Sequence, residues 1–361
     1  AHGFAFIDLC RKRYDAVVMN PPFGEASREY DSTLKRLYPT SKGNLYPAFI
    51  LSGCEFKTPD GLLGAITADT FTVLSSFSNF REDLLTSTHT FHLAVDLGWD
   101  VLDSAQVSTI ACVFGSATND NGIGFFELSK VDVSRKDFEL LAAFRAFQSG
   151  QLLSAYLPTR KQLANLPDYM LAYKLAPSVL SAYEAGMLCG GQLFRAFTGV
   201  SPSGSERYLR VWWEVPTYSL RDSWLPLAHG GEYSPYYRSI PTVIQWKDKG
   251  YQVKQEILIR YPYLNGNYGM KIRSEDHYFS PGATYGKRTD ALNVAILPKG
   301  CLFSHEGQAV FPVDGQGIWS TLAYLNTQEV RVIANQICAS HKVAGYVNKL
   351  PLSKELLSVA R

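Results

Sequence analysis

The chain has 361 residues, of which 46% are hydrophobic and 13% aromatic, and its formal net charge is +2 at pH 7. This composition excludes a disordered polyelectrolyte and predicts a globular protein that is long enough for two domains. No apolar run approaches the roughly 20 residues that a membrane span requires, and the amino-terminal segment lacks the pattern of a secretory signal. The six cysteines show neither CxxC spacing nor clustering, which indicates reduced thiols in a cytoplasm and predicts no metal site.

The two halves of the chain differ in charge. Residues 1–189 carry 16 Lys and Arg against 20 Asp and Glu, and residues 190–361 carry 19 against 13, so the net charges are −4 and +6. A basic, aromatic-rich second half predicts that a polyanion contacts that half. A chance distribution of solvated charges explains the difference about as well.

The stretch 14–25, YDAVVMNPPFGE, predicts a strand that ends in a rigid corner. Its apolar run at 15–19 is typical of a buried strand. Two successive prolines remove two N–H donors and fix two φ angles, so strand pairing must stop at Asn20. The Asn20 side-chain oxygen and the Pro21 carbonyl offer two acceptors, and Phe23 offers an aromatic face. Such a corner suits the exocyclic amine of a base that has been flipped out of a duplex.

Alternating strands and helices follow the corner. The polar segment 27–46 predicts a mobile loop over the corner, and the apolar spacing in 46–57 predicts an amphipathic helix. The further predicted elements are, in chain order, a strand at 61–68, a helix at 77–86, and strands at 91–97 and 107–115. This alternation predicts a mostly parallel, doubly wound sheet in an α/β domain over residues 1–130. Ligands of such sheets bind beyond the carboxyl ends of the strands, where Asn20 is expected to lie.

The character of the sequence changes twice after this domain. Apolar residues at helical spacing predict a helical connector over residues 131–189. From there on Trp, Tyr, Arg, Gly and Pro are abundant, which predicts short strands and long loops in a mixed, β-rich domain over residues 190–361. Trp212 and Trp213 are adjacent in an apparent strand, so one is expected to face the core and the other the solvent.

The Asn-Pro-Pro-Phe sequence at 20–23 resembles the catalytic motif of DNA N6-adenine methyltransferases, which use S-adenosylmethionine. The stretches 61–67 (GLLGAIT) and 101–109 (VLDSAQVST) stand where this family carries a GxxGxIT strand and an FxxAxVxT passage. The order of these passages matches the family as well as their wording.

The second half resembles the target-recognition domain of long bacterial adenine methyltransferases, found in single-chain restriction-modification enzymes and in BREX phage defence. The likeness rests on the passages at 199–214, 230–232 and 341–352. The resemblance implies an α/β fold in which an incomplete doubly wound, Rossmann-like methyltransferase sheet is followed by a mixed, β-rich target-recognition domain. It also implies a bacterial, cytoplasmic protein whose partner is duplex DNA.

The resemblance assigns roles to the corner residues. Asn20 and the Pro21 carbonyl would hold the amine of a flipped adenine, Pro22 would keep the corner rigid, and Phe23 would stack on the base. Because no cysteine lies at the corner, methyl transfer is expected to proceed directly, without a covalent enzyme intermediate.

A site for the methyl donor is not visible in the sequence. Binding of S-adenosylmethionine requires a glycine-rich turn after a first strand and a later acidic residue for the ribose. The residues that precede Asn20 hold no such turn. We therefore predict a carboxyl-terminal fragment with an incomplete cofactor site, which a missing N-terminal half or a partner subunit would complete.

DNA is expected to contact the second half through cations that bind phosphate and a few side chains that contact base edges. The candidates are Ser203 and Gly204, for close backbone approach, and Arg207, Arg210, Lys247, Lys249, Arg273, Lys287 and Arg288. Each of these cations, taken alone, is better explained as a solvated surface charge. Two other functions stay open: a non-catalytic DNA-binding or specificity module, and a methyltransferase that acts on protein or RNA.

Overall fold

The computed structural model describes residues 8–9, 11–86, 89–103, 106–116, 122–313, 317–338 and 341–352. It contains two compact units, Ala1–Glu184 and Ala185–Arg361. The predicted α/β fold class is confirmed, because a sheet with parallel strand pairs lies in the first unit and further sheets lie in the second. Two of the five strand pairs in the first sheet are parallel and three are antiparallel, so this sheet is less parallel than the alternation of elements predicts. The division into three parts stays a prediction; residues 131–184 lie in the first unit.

The first unit is built from six strands and six α-helices within its described residues. The strands are β1 (Tyr14–Met19), β2 (Lys57–Ala68), β3 (His89–Gly98), β4 (Thr109–Ser116), β5 (Gly124–Glu127) and β6 (Ala155–Tyr156). The helices are α1 (Arg28–Leu37), α2 (Leu45–Phe56), α3 (Ser78–Thr86), α4 (Lys136–Gln148), α5 (Arg160–Ala164) and α6 (Pro177–Glu184). Short 3-10 helices cover Pro39–Ser41, Asp69–Thr72, Ser75–Phe77, Val133–Arg135 and Pro167–Tyr169.

These strands form one sheet in the order β1-β2-β4-β3-β5-β6. The pairs β1–β2 and β3–β5 are parallel, whereas β4 is antiparallel to both of its neighbours and β6 is antiparallel to β5. The strands β1, β2, β3 and β5 therefore run in one direction, and their carboxyl ends lie at the same edge of the sheet. Six phenylalanines that are at most 1% exposed pack in the core of this unit: Phe71, Phe80, Phe91, Phe114, Phe125 and Phe126.

The prediction of a buried strand at residues 15–19 is wrong. β1 is the edge strand of the sheet, and the side chain of Val18 is 85% exposed. Its inner face is covered where α2 approaches the sheet: a Cβ on Gly53 would lie 2.4 Å from the end of the Met19 side chain, so this side chain packs closely against the helix. An apolar run indicates that a strand has an apolar surface, but it does not indicate whether another element covers that surface.

The prediction of a mobile loop at residues 27–46 is also wrong, because α1 occupies half of this segment and a 3-10 helix follows it at Pro39–Ser41. None of the residues of α1 is buried, so its sequence is as polar as that of a loop. Acidic residues in its first turn and basic residues in its last turn favour the helix electrostatically. Asp31 and Lys35 add an ion pair of 2.8 Å one turn apart.

The second unit contains eight strands and five α-helices in its described residues. The strands are β7 (Phe194–Phe197), β8 (Leu209–Val211), β9 (Trp224–Ala228), β10 (Thr242–Gln245), β11 (Gly282–Gly286), β12 (Ala295–Leu297), β13 (Leu302–Phe303) and β14 (Gly307–Pro312). The helices are α7 (Ser205–Tyr208), α8 (Lys247–Arg260), α9 (Ile318–Leu325), α10 (Gln328–Ile337) and α11 (Ala344–Val347). Short 3-10 helices cover Trp212–Glu214, Thr217–Ser219, Pro262–Leu264, Tyr268–Met270 and Glu275–His277.

Two four-stranded sheets organise this unit, in the orders β13-β9-β10-β8 and β12-β11-β14-β7. Buried residues of both sheets and of α8, among them Ile244, Val253 and Ala309, share one core cluster. The prediction that Trp212 and Trp213 lie in a strand is wrong: they form a 3-10 turn directly after β8, and both indoles are more than half exposed.

No described helix is long and apolar enough to cross a membrane.

Candidate functional site

The predicted corner lies directly after β1, at the edge of the sheet where the parallel strands end. Asn20 is exposed, and its side chain makes no hydrogen bond to any residue that the structure describes. Pro21 is buried and Pro22 is exposed. Phe23 is half-buried and meets the ring of Tyr46 edge-on, with 6.3 Å between the ring centroids. The corner thus presents a free amide beside an aromatic ring that is held from one side.

The segment after the corner is tied to the start of α2. The Gly24 carbonyl accepts a hydrogen bond from the Leu45 N–H at 2.9 Å, and the Ala26 N–H donates to the Gly43 carbonyl at 2.9 Å. Gly24 has a φ of +102°, which an L-residue adopts only with strain. These bonds fix the corner from its carboxyl side, while the prolines fix it from within.

Three residues beside the corner were not identified from the sequence. Tyr46 is 2% exposed, and its hydroxyl lies 3.2 Å from the Thr70 hydroxyl. Asp69 begins the turn that follows β2, which is the parallel neighbour of β1. Burial raises the pKa of both Tyr46 and Asp69. The rule that singled out Asn20, a polar residue at the end of a predicted strand, finds Asp69 and Thr70 as well.

The described residues do not form a complete site for S-adenosylmethionine. No described strand precedes β1, and the glycines at the carboxyl ends of the strands do not open a strand-turn-helix unit. Asn20 and Phe23 are suited to hold an acceptor of the methyl group, and the incomplete cofactor site stays a prediction. Among these residues there is also no group of three or more His, Cys, Asp or Glu that could hold a metal ion.

In the second unit, the predicted DNA-binding residues occupy several separate places. Ser203 is 5% exposed, and Gly204 has a left-handed φ of +69° ahead of α7. Arg207 is exposed and lies 3.7 Å from Glu256, which is part of α8. Arg210 donates to the Leu209 carbonyl at 2.7 Å, so part of its guanidinium is used within the fold.

The remaining candidates divide into two groups. Lys247 and Lys249 are exposed at the start of α8, where Lys249 has a φ of +55°. Lys287 and Arg288 both pair with Glu306, at 2.8 and 3.3 Å.

Arg273 and Lys287 line one cavity of about 390 Å³, here called the cation-lined cavity. Its lining consists of Thr198, Gly199, Ser201, Met270, Lys271, Arg273, Lys287, His305, Gln308, Val343 and Gly345. The permanent cations of this lining are Lys271, Arg273 and Lys287, and the lining contains no carboxylate. Lys287 forms an ion pair with Glu306, which is not part of the lining. Lys271 and His305 were missed in the sequence, because charge alone does not show which cations converge on one cavity.

A buried hydrogen-bond chain fixes the neutral form of His229 near this cavity. The Ser304 hydroxyl is fully buried and accepts the N–H groups of Glu306 and Gly307 at 3.2 and 3.0 Å. Its own hydrogen therefore points to the Nδ1 of His229, 2.9 Å away, which makes Nδ1 an acceptor. Burial, and then the nearby His305, lower the pKa of His229 below its usual 6.5.

The stability of the second unit is expected to fall as the pH drops below about 6.5. The folded state resists protonation of His229, whereas the unfolded chain accepts the proton, so acid favours unfolding in this window. His305 adds to the effect in the same direction. Urea unfolding at pH 7.5 and 5.5 measures this by tryptophan fluorescence, because five of the six tryptophans lie in this unit. His229→Gln should flatten the dependence, and an unchanged slope would refute this account of His229.

Known proteins are similar to this chain in sequence and in fold. Residues 2–98 match the model of the Eco57I restriction-modification methylase family. The chain is 25% identical over 366 aligned positions to the adenine-specific methyltransferase BrxX of Escherichia coli O9:H4 (strain HS), covering 96% of this chain and 28% of that protein. It is 23% identical over 365 positions to the adenine-specific methyltransferase PglX of Lacticaseibacillus casei (strain Zhang), covering 95% and 30%.

The fold has a counterpart among solved structures as well. The type IIL restriction-modification enzyme MmeI in complex with DNA matches with a TM-score of 0.51 at 12% identity, over 85% of this chain and 42% of that one. The chain spans 28% and 30% of the length of the two curated relatives. The resemblance drawn from the sequence is thereby confirmed: residues 2–98 match the Eco57I restriction-modification methylases, and nearly the whole chain is similar to adenine-specific methyltransferases.

Proposed function

We propose that this chain carries the target-base corner and the target-recognition part of a DNA adenine-N6 methyltransferase that serves restriction-modification or phage defence in bacterial cytoplasm. The observation that carries the proposal is the free amide of Asn20, held beside Phe23 at the end of a strand by two prolines. The similarity to adenine-specific methyltransferases over 96% and 95% of the chain supports it.

The chemistry follows from the two acceptors of the corner. An adenine flipped out of the duplex donates its two N6 hydrogens to the Asn20 side-chain oxygen and to the Pro21 carbonyl. Both bonds draw electron density toward nitrogen and fix the direction of its lone pair. The ring of Phe23 stacks on the base and keeps the amine in place. S-adenosylmethionine, when bound, supplies an electrophilic methyl group.

The corner residues position the amine rather than activate it covalently. The N6 nitrogen would form a bond to the methyl carbon as the bond between that carbon and the donor's sulfur breaks and its electron pair stays on the sulfur. The methylated nitrogen would then release one proton, which the solvent accepts. No base is required before transfer, because the lone pair already lies on nitrogen. The work of Asn20 is therefore orientation and stabilisation of the positive charge that develops on the amine.

The second unit would bind the duplex through its excess of cations. Its net charge of +6 and the cations around the cation-lined cavity favour a polyanion. Phosphate contacts would set the register of the protein on the duplex, and a few side chains would set the sequence preference.

Binding of the chain to labelled duplex DNA across a salt series tests the proposed partner. We expect a steep loss of affinity with salt and a dependence on DNA sequence. Lys287→Gln should reduce the dependence on salt, because Lys287 lines the cavity. Asp222→Asn, at an exposed acidic residue of the same unit, serves as the control for a change of charge. Equal affinity for single-stranded RNA and duplex DNA would contradict the proposal, and so would no binding at low salt.

A further inference from the structure

The loop between β9 and β10 encloses a cavity of about 570 Å³, here called the glycine-loop cavity. Its lining consists of Leu227, Ala228, His229, Gly230, Gly231, Glu232, Tyr233, Ser234, Arg238, Ser239, Ile240, Pro241, Thr242 and Thr284. Gly230 and Gly231 have φ angles of +84° and +139°, which L-residues with side chains adopt only with strain. The loop is thus built for a backbone path that exposes main-chain groups to the cavity.

Arg238 is the cation of this cavity, and the fold gives it no counter-ion. No ion pair joins it to any carboxylate that the structure describes, and burial alone accounts for a lowered pKa of its guanidinium. Its Nε is buried and has no acceptor among the described residues. Removing a charge from water without a counter-ion costs free energy, so Arg238 lowers the free energy of unfolding at this position.

A single buried residue holds both the arginine and the loop. Asn293 is 2% exposed, and its carbonyl accepts a hydrogen bond from the Nη2 of Arg238 at 3.0 Å. The side chain of Asn293 accepts the Ser234 N–H at 2.8 Å and donates to the Glu232 carbonyl at 3.0 Å. The position of the guanidinium relative to the loop is therefore fixed before any ligand arrives.

The missing side chain of Gly231 keeps the guanidinium accessible. A Cβ at this position would lie 3.3 Å from the Cδ of Arg238 and 3.7 Å from its Nε. The N–H groups of Gly231 and Glu232 make no hydrogen bond to the residues in the described ranges. A partly buried cation and adjacent backbone N–H groups without acceptors among the described residues are the elements of an anion site.

We propose that the glycine-loop cavity binds a phosphate group through Arg238 and the backbone of Gly231, and that this phosphate belongs to the DNA backbone. The assignment of DNA as the source rests on the proposed function. A phosphate projects from a duplex and fits a concave site, and a guanidinium matches its geometry with paired donors. Glu232 also lines the cavity, and its carboxylate is exposed. Because this carboxylate repels a phosphate, the phosphate should enter on the side of Arg238.

The test compares Arg238→Met, Arg238→Lys and the control Arg195→Met in DNA binding across a salt series. Arg195 is exposed on β7, so Arg195→Met removes the same charge at a place outside the cavity. Arg238→Met should weaken binding roughly 5-fold or more for every duplex and lower the slope of log K against log salt by about 1. Arg238→Lys should keep the slope, and the thermal midpoint of Arg238→Met should rise, because an uncompensated cation is gone. An unchanged slope, or a loss confined to particular DNA sequences, would overturn the phosphate assignment.

A second measurement separates this proposal from the proposed function. Inorganic pyrophosphate, at constant ionic strength, should raise the thermal midpoint of the wild-type chain and of Arg195→Met, but not that of Arg238→Met. An equal response of all three proteins would overturn phosphate binding in the cavity. If the wild-type chain binds no DNA but responds to pyrophosphate through Arg238, the proposed function fails and the DNA source of the phosphate fails with it, while the phosphate site stands.

Discussion

Replacing Asn20 with Ala is expected to lower methyl transfer by the full gene product about 100- to 1,000-fold, because the amine loses an acceptor that acts in the transition state. Asn20 is exposed and makes no hydrogen bond within the described residues, so its removal should not change the stability of the fold. The loss should appear in the rate of the chemical step rather than in the affinity for duplex DNA. Single-turnover transfer of a labelled methyl group measures that step.

Two further variants make this result specific. Asn79→Ala changes an exposed asparagine of α3 in the same unit and should leave the rate unchanged. Asn20→Asp keeps one acceptor and the size of the side chain, so it should retain more activity than Asn20→Ala. Methylation by Asn20→Ala at the wild-type rate would show that the corner takes no part in the mechanism.

Replacing Arg81 with Met is expected to destabilise the first unit by about 3–5 kcal/mol. Arg81 is fully buried, and its guanidinium donates five hydrogen bonds to the backbone carbonyls of Phe71, Leu74, Asp168 and Tyr169. Methionine fills a similar volume but leaves these carbonyls without their donor. The large effect therefore comes from buried acceptors rather than from a cavity.

The same bonds hold two strained residues and a turn beside the corner. Asp168 and Tyr169 have φ angles of +55° and +56°, which non-glycine residues rarely adopt. Phe71 belongs to the 3-10 helix Asp69–Thr72, and Leu74 directly precedes the next one, Ser75–Phe77. Arg81→Met should consequently loosen the edge of the sheet at which Asn20 lies.

Urea unfolding followed by hydrogen exchange in β3 and β4 measures this effect. The strands β11 and β14 of the second unit provide an internal reference, whose unfolding should not change. Arg145→Met, at an exposed arginine of α4, is the matched control and should stay within about 0.5 kcal/mol of the wild type. A loss below about 1 kcal/mol in Arg81→Met would contradict the role given to its hydrogen bonds.

The corner could be predicted from the sequence because its geometry is local. Two prolines after an apolar run dictate where the strand ends, and neighbours in sequence bring Asn20 and Phe23 together in any fold. Burial of β1 could not be predicted, because it depends on which elements cover an edge strand. The polar composition of α1 led to the prediction of a loop, although its apolar residues Tyr30, Leu34 and Leu37 recur at helical spacing.

The arrangement of charges in the second unit was beyond sequence analysis. Arg273 and Lys287 are two of the seven cations that the sequence predicts to contact DNA, and only the fold shows that they share a cavity with Lys271. Arg238 was not selected at all, because its distinctive property is the lack of a counter-ion. Asn293, which holds it, is 55 residues away in sequence.

Identification of the methylated nucleoside shows whether the Asn20 corner acts on adenine in DNA. The full gene product is incubated with duplex DNA and S-adenosylmethionine that carries a deuterated methyl group, and the DNA is digested to nucleosides for mass spectrometry. We predict that the label appears in N6-methyladenine and that Asn20→Ala lowers its rate of appearance about 100- to 1,000-fold. Label in methylcytosine, or a DNA digest with no labelled N6-methyladenine, would contradict the assignment of the corner.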